Sequence, residues 1–143
     1  TVSLVGAHGG AGTTTLSLMT GMVDGGHSWP VTFPDQANDV VVVCRSNVWG
    51  LEAARTAAQS VYSGRIVGVN LLGLVVMADA PGRRRPTELT ARIEHVSGAF
   101  PRVWSVPWME ALRFGEMTKI PSLIGRVIDE LIALNKERGA SEC

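Results

Sequence analysis

The chain has 143 residues, of which 45% are hydrophobic, and it contains 16 glycines and seven prolines. This composition excludes a collagen-like or wholly disordered chain. Lysine plus arginine equals aspartate plus glutamate at 13 each, so the net charge does not favour nucleic acid or an anionic membrane as partner. No apolar run is long enough to span a membrane, and the two cysteines suggest neither a disulfide framework nor a metal site. We therefore expect one soluble, cytoplasmic domain over residues 1–143, and the start at Thr1 suggests a piece of a longer chain.

The first predicted elements are a strand, a glycine-rich loop and a helix. Val2–Val5 is short, apolar and β-branched, which is typical of a buried strand. After the loop, Thr13–Met22 carries leucines and methionines at helical spacing, namely Leu16, Leu18, Met19 and Met22. Asp24-Gly25-Gly26 predicts the end of that helix. A short strand over residues 31–33 is a weaker prediction.

The rest of the chain alternates strands with helices. Strands are predicted at Val40–Cys44, Val69–Met77 and Val103–Val106, and helices at Leu51–Val61, Thr87–Val96 and from Pro121 to about Lys136. Strands apolar on both faces, separated by helices, are typical of a parallel sheet. The predicted fold class is therefore α/β, with three layers, a mainly parallel sheet of four to five strands, and helices on both faces.

The last predicted helix has an apolar stripe with two interpretations. Its members are Ile124, Val127, Ile128, Leu131 and Ile132. The stripe fits either a core face or a membrane-targeting helix. The opposite face is mixed in charge rather than basic, so we favour the core face.

The glycine-rich loop predicts a phosphate-binding site. Glycines allow backbone N–H groups to converge on an anion, and the following helix N-terminus adds a partial positive charge. The candidate binding residues are Gly9, Gly10, Ala11, Gly12, Thr13, Thr14 and Thr15. The alternative is a tight strand-to-helix turn with no ligand.

Residues His8 to Thr15 also carry a resemblance. They read H-G-G-A-G-T-T-T, which is similar to the deviant Walker A loop K-G-G-x-G-K-T-T. Three glycines and two threonines match, while His8 and Thr13 stand where that loop has lysines. Asn38–Cys44, Leu72–Met77 and Val106–Arg113 are similar to later segments of the same family. The chain thus resembles a shortened, degenerate member of the ParA/MinD-like P-loop ATPases.

The resemblance implies a P-loop NTPase-like fold that binds ATP or ADP with Mg²⁺. It places the hydroxyl of Thr14 on the metal and Pro107 near the nucleotide base, and it assigns no catalytic residue. Each lost lysine removes a charged hydrogen bond that contributes roughly 1.5–3 kcal/mol. We therefore expect weak nucleotide binding, little or no catalysis, and a scaffolding role in a bacterial positioning, partition, secretion or transfer assembly.

Two alternatives remain open. One is an active Mg-dependent ATPase that uses Asp79 as metal ligand, with Arg45 or Arg83 in place of the Walker lysine. The other is an interaction module that binds no nucleotide. A protein partner or a homodimer is expected in either event. Arg83, Arg84 and Arg85 could contact nucleic acid, although a solvated loop is the favoured interpretation.

Overall fold

The computed structural model describes residues 1–30, 37–80, 87–108 and 122–141. Within them the chain forms five strands and four helices, in the order expected of an α/β protein. The strands are β1 (Val2–Gly6), β2 (Val23–Asp24), β3 (Asn38–Arg45), β4 (Val69–Met77) and β5 (Val103–Val106). The helices are α1 (Thr13–Thr20), α2 (Val48–Tyr62), α3 (Thr87–Ser97) and α4 (Ser122–Ser141). The strand expected at residues 31–33 and the arginines at 83–85 lie outside the described residues.

The five strands form one all-parallel sheet in the order β2-β1-β3-β4-β5. Strand β3 lies at the centre, and the side chains from Asp39 to Cys44 are buried. Its run of four valines explains this position, because both faces of a central parallel strand are covered. In register, Gly6 at the end of β1 pairs with Val43. This pairing sets the glycine-rich loop beside the end of β3.

Helices cover both faces of the sheet. On one face, α1 and α4 enclose a core that includes Leu4, Leu16, Val41 and Leu131. On the other, α2 and α3 enclose a second core, built around the opposite side chains of the same strands. The expected three-layer α/β fold is therefore confirmed.

Helix α1 is shorter than predicted. It ends at Thr20, because Gly21 adopts a left-handed conformation (φ 76°) and its N–H donates to the carbonyl of Ser17. The chain then turns back, and Val23–Asp24 pairs with β1 as a strand instead of ending the helix. The prediction that Leu18 shares the buried face was also wrong, since its side chain is 71% exposed. Leu18 lies about 200° around the helix from the buried Leu16.

The apolar stripe of α4 is a core face. Ile124, Ile128 and Leu131 are buried, and Val127 and Ile132 pack against the same cluster. Polar contacts add to this packing, because Trp104 Nε1 donates to Glu130 (2.9 Å). At the C-terminal end, Arg138 makes a bidentate pair with buried Asp39 at 2.8 and 3.0 Å. Across the described ranges, no helix is long and apolar enough to cross a bilayer.

Candidate functional site

The loop between β1 and α1 has the backbone geometry of an anion cradle. Gly10 and Gly12 have positive φ angles of 76° and 107°, which residues with a Cβ rarely adopt. Gly12 is also the N-cap of α1 and provides no side-chain cap. The first-turn N–H groups of a helix have no acceptors within the helix, and this first turn carries no acidic residue. The backbone at this helix end is therefore suited to a negative group, and the carboxylate of Asp24 already lies beside it.

A cavity of about 330 Å³ lies over this loop. Its lining consists of residues 8–15 together with Gly26, His27 and Arg45. The volume is at the lower end of the range for small-molecule sites, about 300–1,000 Å³. All seven candidate loop residues, Gly9 to Thr15, line it, which follows from their being consecutive in the chain.

Arg45 places a cation against the loop. It ends β3, and its Nε donates to the carbonyl of Gly10 (3.1 Å) while Nη1 donates to the carbonyl of Ala78 (3.3 Å). A guanidinium has five N–H donors, and these contacts use two. Arg45 thus keeps donors and a permanent charge at the edge of the cavity, which Thr13 also lines.

His8 holds the loop against β3 without adding a positive charge. The backbone N–H of Arg45 donates to His8 Nε2 (3.0 Å), and His8 Nδ1 lies 2.9 Å from the carbonyl oxygen of Gly9. An accepting Nε2 places the ring proton on Nδ1, so the imidazole is neutral in this arrangement. The start of α2 is close as well, because a Cβ on Gly50 would lie 3.0 Å from His8 Nε2. His8 therefore positions the loop against β3.

A carboxylate that the sequence analysis did not single out contacts the loop. Thr14 Oγ1 donates to Asp24 Oδ2 (2.8 Å), and the N–H of Gly26 donates to Asp24 Oδ1 (3.0 Å). The hydrogen bond from Thr14, followed by that from Gly26, lowers the pKa of Asp24 below its usual value. Asp24 is therefore ionised at neutral pH beside the first turn of α1.

The other candidate residues lie outside this cavity. Pro107 is exposed after β5, which is three strands away from β1 in the sheet. Asp79 is exposed after β4, and only its backbone contact with Ser46 is defined, at 3.1 Å. Neither residue lines the loop cavity within the described part of the chain. Their assigned roles remain predictions, and Arg83 falls outside the described ranges.

The sequence around Asp24 predicts a helix end, whereas the structure places Asp24 in strand β2. Val23-Asp24-Gly25-Gly26 follows a helix, and a carboxylate before two glycines is typical of a turn. Only the pairing of Val23–Asp24 with β1 brings the carboxylate to Thr14. No group of three or more metal-ligating side chains occurs in the parts of the chain that the structure covers.

These features define a three-layer α/β protein with a glycine-rich loop at the carboxyl end of its first strand. The chain belongs to a family of unknown function, DUF6668, whose model matches residues 1–129. No curated protein and no solved structure matches the chain.

Proposed function

We propose that this protein is a degenerate ParA/MinD-like P-loop protein that binds a phosphate-containing ligand, ATP or ADP among the candidates. It hydrolyses that ligand slowly or not at all, and acts as a binding scaffold in a bacterial cytoplasmic assembly. The observation that carries the proposal is Arg45, whose guanidinium lies on the glycine-rich loop. A guanidinium at this position supplies part of the positive charge that two lysines would give to a bound phosphate.

The residues present also fit Mg²⁺. This ion prefers oxygen ligands and usually keeps several waters, with one or two carboxylates and the phosphates of its ligand. Thr14 and Asp24 offer a hydroxyl and an ionised carboxylate in direct contact with each other. Because Asp24 would repel a bare phosphate, we expect binding to be stronger when Mg²⁺ is present.

Weak catalysis follows from the charges at the loop. Phosphoryl transfer depends on positioning and on neutralising charge at the transferred group. Thr13 is uncharged and His8 accepts a hydrogen bond through Nε2, so Arg45 is the permanently charged side chain that lines the described cavity. Two N–H groups of Arg45 also donate to the carbonyls of Gly10 and Ala78, so they are not available to a ligand. The site thus retains the shape for an anion with less charge than a working P-loop.

The test is calorimetric titration of ATP and ADP, with and without Mg²⁺, into the wild type and Thr13→Lys. Phosphate release is measured in parallel, with Gly12→Val as the loop-disrupted control. We expect weak, Mg-enhanced binding by the wild type, tighter binding by Thr13→Lys, and no wild-type turnover above Gly12→Val. Robust wild-type turnover that Gly12→Val abolishes would contradict the inactive assignment. Absence of binding by both proteins would contradict the binding role.

A protein-interaction role is a second candidate, favoured by one observation. Trp49 in the first turn of α2 is 86% exposed, and the neighbouring Val48 is also exposed. Both follow β3 at the sheet edge that carries the loop. Exposed tryptophans are frequent anchors in protein interfaces. Under this alternative, Trp49→Ala would weaken assembly with a protein partner, or self-association in sedimentation, while leaving any nucleotide affinity unchanged.

A further inference from the structure

A second cavity adjoins the loop on the other face of the sheet. It has a volume of about 180 Å³ and lies between the end of β1 and α2. His27 lines both this cavity and the one over the loop, and its Nδ1 lies 2.7 Å from the carbonyl oxygen of Gly6. A ligand that binds the loop with its phosphate therefore has an adjoining space for its other end.

The walls of this second cavity are suited to a compact ring. Val5 and Val42 form an apolar floor, and Trp29, which packs against the same core, lines one side. Helix α2 contributes small side chains at helical spacing, Ala53, Ala57 and Ser60, which leave the space open. Hydroxyls of Ser28 and Thr56 also line it and could hydrogen-bond to ring heteroatoms.

The size of the cavity limits the ring. An enclosed apolar cavity of about 150 Å³ holds one benzene molecule. At about 180 Å³, this cavity is close in volume to that one-ring site, although it is open to solvent on one side. Flat rings gain affinity from contact with an indole in addition to the apolar area that they bury.

We infer that the ligand is a phosphorylated small molecule whose other end is a single ring, bound between β1 and α2 beside Trp29. This inference rests on the proposed phosphate-binding function of the loop. It differs from the placement that the family resemblance implies, in which a base lies near Pro107. The ligand class is a phosphate or diphosphate ester of a pyrimidine nucleoside or of a similarly compact ring.

The experiment compares three probes by calorimetry in the presence of Mg²⁺: pyrophosphate, uridine 5′-diphosphate and adenosine 5′-diphosphate. Pyrophosphate reports on the loop alone. We expect the uridine compound to bind at least about tenfold more tightly than pyrophosphate, since stacking of a base on an aromatic side chain is a substantial term. The adenosine compound should gain less, because a fused ring fits a cavity of this volume less closely than a single ring does.

Three variants locate the ring. Ala57→Phe fills the cavity, Trp29→Ala removes a wall, and Gln59→Phe places the same new side chain on an exposed position of α2. We expect the first two to abolish the advantage of the uridine compound while pyrophosphate affinity stays unchanged. Gln59→Phe should change neither affinity. Thermal melting checks that each variant folds. If Ala57→Phe does not fold, Trp29→Ala alone tests whether the ring binds in this cavity.

The outcomes separate this inference from the function on which it rests. If pyrophosphate binds and the uridine compound has no advantage, or the advantage survives in Ala57→Phe and Trp29→Ala, the ring site is wrong and the loop function stands. If the folded wild type binds none of the probes, the loop function fails and the ring site with it.

Discussion

Asp24 gives the candidate site its expected dependence on Mg²⁺. Its ionised carboxylate contacts the hydroxyl of Thr14 in the first turn of α1, where a phosphate would also bind. We expect a bound phosphate and this carboxylate to repel each other without a divalent cation, and to share the cation as ligands when one is present. Removing the carboxylate should therefore raise the affinity for a phosphate ligand when Mg²⁺ is absent and lower it when Mg²⁺ is present.

We predict that Asp24→Asn changes the affinity for ADP in opposite directions with and without Mg²⁺. Without Mg²⁺ the variant should bind about three- to tenfold more tightly than the wild type, because the repulsion is gone. With Mg²⁺ it should bind less tightly, because a ligand of the cation is lost. Titrations of the wild type, Asp24→Asn and the exposed control Asp129→Asn measure both effects. An equal change in both conditions would exclude Asp24 as a metal ligand.

Asp39 has a structural role at the start of β3, at the end of that strand away from the glycine-rich loop. Burial by itself raises the pKa of Asp39, but hydrogen bonds from Arg138 and Asn70 and the charge of Arg138 outweigh it, so the pKa is lowered. Because the folded-state pKa is depressed, the ionised form stabilises the fold above the unfolded value of 3.8. This contribution is lost as the pH falls through the folded-state pKa.

We predict that Asp39→Asn lowers the free energy of unfolding by about 1–3 kcal/mol at pH 7, a range typical of hydrogen bonds to charged groups. The effect is moderated because the Arg138 side chain is 37% exposed. Urea unfolding at pH 7 and near pH 3 measures it, with Asp129→Asn as the exposed control. The difference between wild type and Asp39→Asn should shrink at the lower pH. A constant difference would show that the Asp39 charge is not its source.

Among the elements, α4 crosses one face of the sheet between β1 and β5. Its apolar face packs on β1 and β5, and Arg138 near its C-terminus reaches Asp39 in β3. Trp104 in β5 lies between Glu130, which accepts its indole N–H, and Arg102, which lies 4.7 Å from the ring centroid. A helix held by its apolar face in this way does not present that face to a membrane.

We predict that Leu131→Ala destabilises the protein by about 2–5 kcal/mol, because it removes a fully buried leucine and leaves a cavity. Lys136→Ala, at an exposed position of the same helix, is the control. Urea unfolding measures stability, and sedimentation with anionic vesicles measures membrane binding. The folded wild type should not sediment with vesicles. A Leu131→Ala variant of unchanged stability that loses vesicle binding would support the membrane-targeting interpretation instead.

At the scale of the whole molecule, the sequence predicted those features that depend on local pattern. Val40–Cys44 indicated a buried central strand, and the run from Gly9 to Gly12 indicated a loop before a helix. Parallel topology follows from alternating strands and helices, and it places Arg45 at the same sheet edge as the loop. The sequence therefore predicts, as one of the alternatives, that Arg45 lies near the loop. It does not predict the hydrogen bond from Arg45 to the carbonyl of Gly10.

The features that the sequence did not reveal depend on long-range placement. Strand β2 has two residues, which is too short to show a periodic pattern, and it exists through pairing with β1. The contact between Asp24 and Thr14 follows from that pairing. The exposure of Leu18 depends on where α1 ends and which face meets α4. Tertiary packing determines each of these features, and local sequence propensity does not.

The most direct test of the central claim is calorimetric titration of pyrophosphate, with Mg²⁺ present, into the wild type, Arg45→Ala and the exposed control Arg65→Ala. We expect saturable binding by the wild type, and we expect Arg65→Ala to preserve it. Arg45→Ala should weaken it about 10- to 100-fold, the effect of losing a hydrogen bond to a charged group. Absence of wild-type binding, or equal affinity in all three proteins, would contradict the assignment of this loop and Arg45 as a phosphate site.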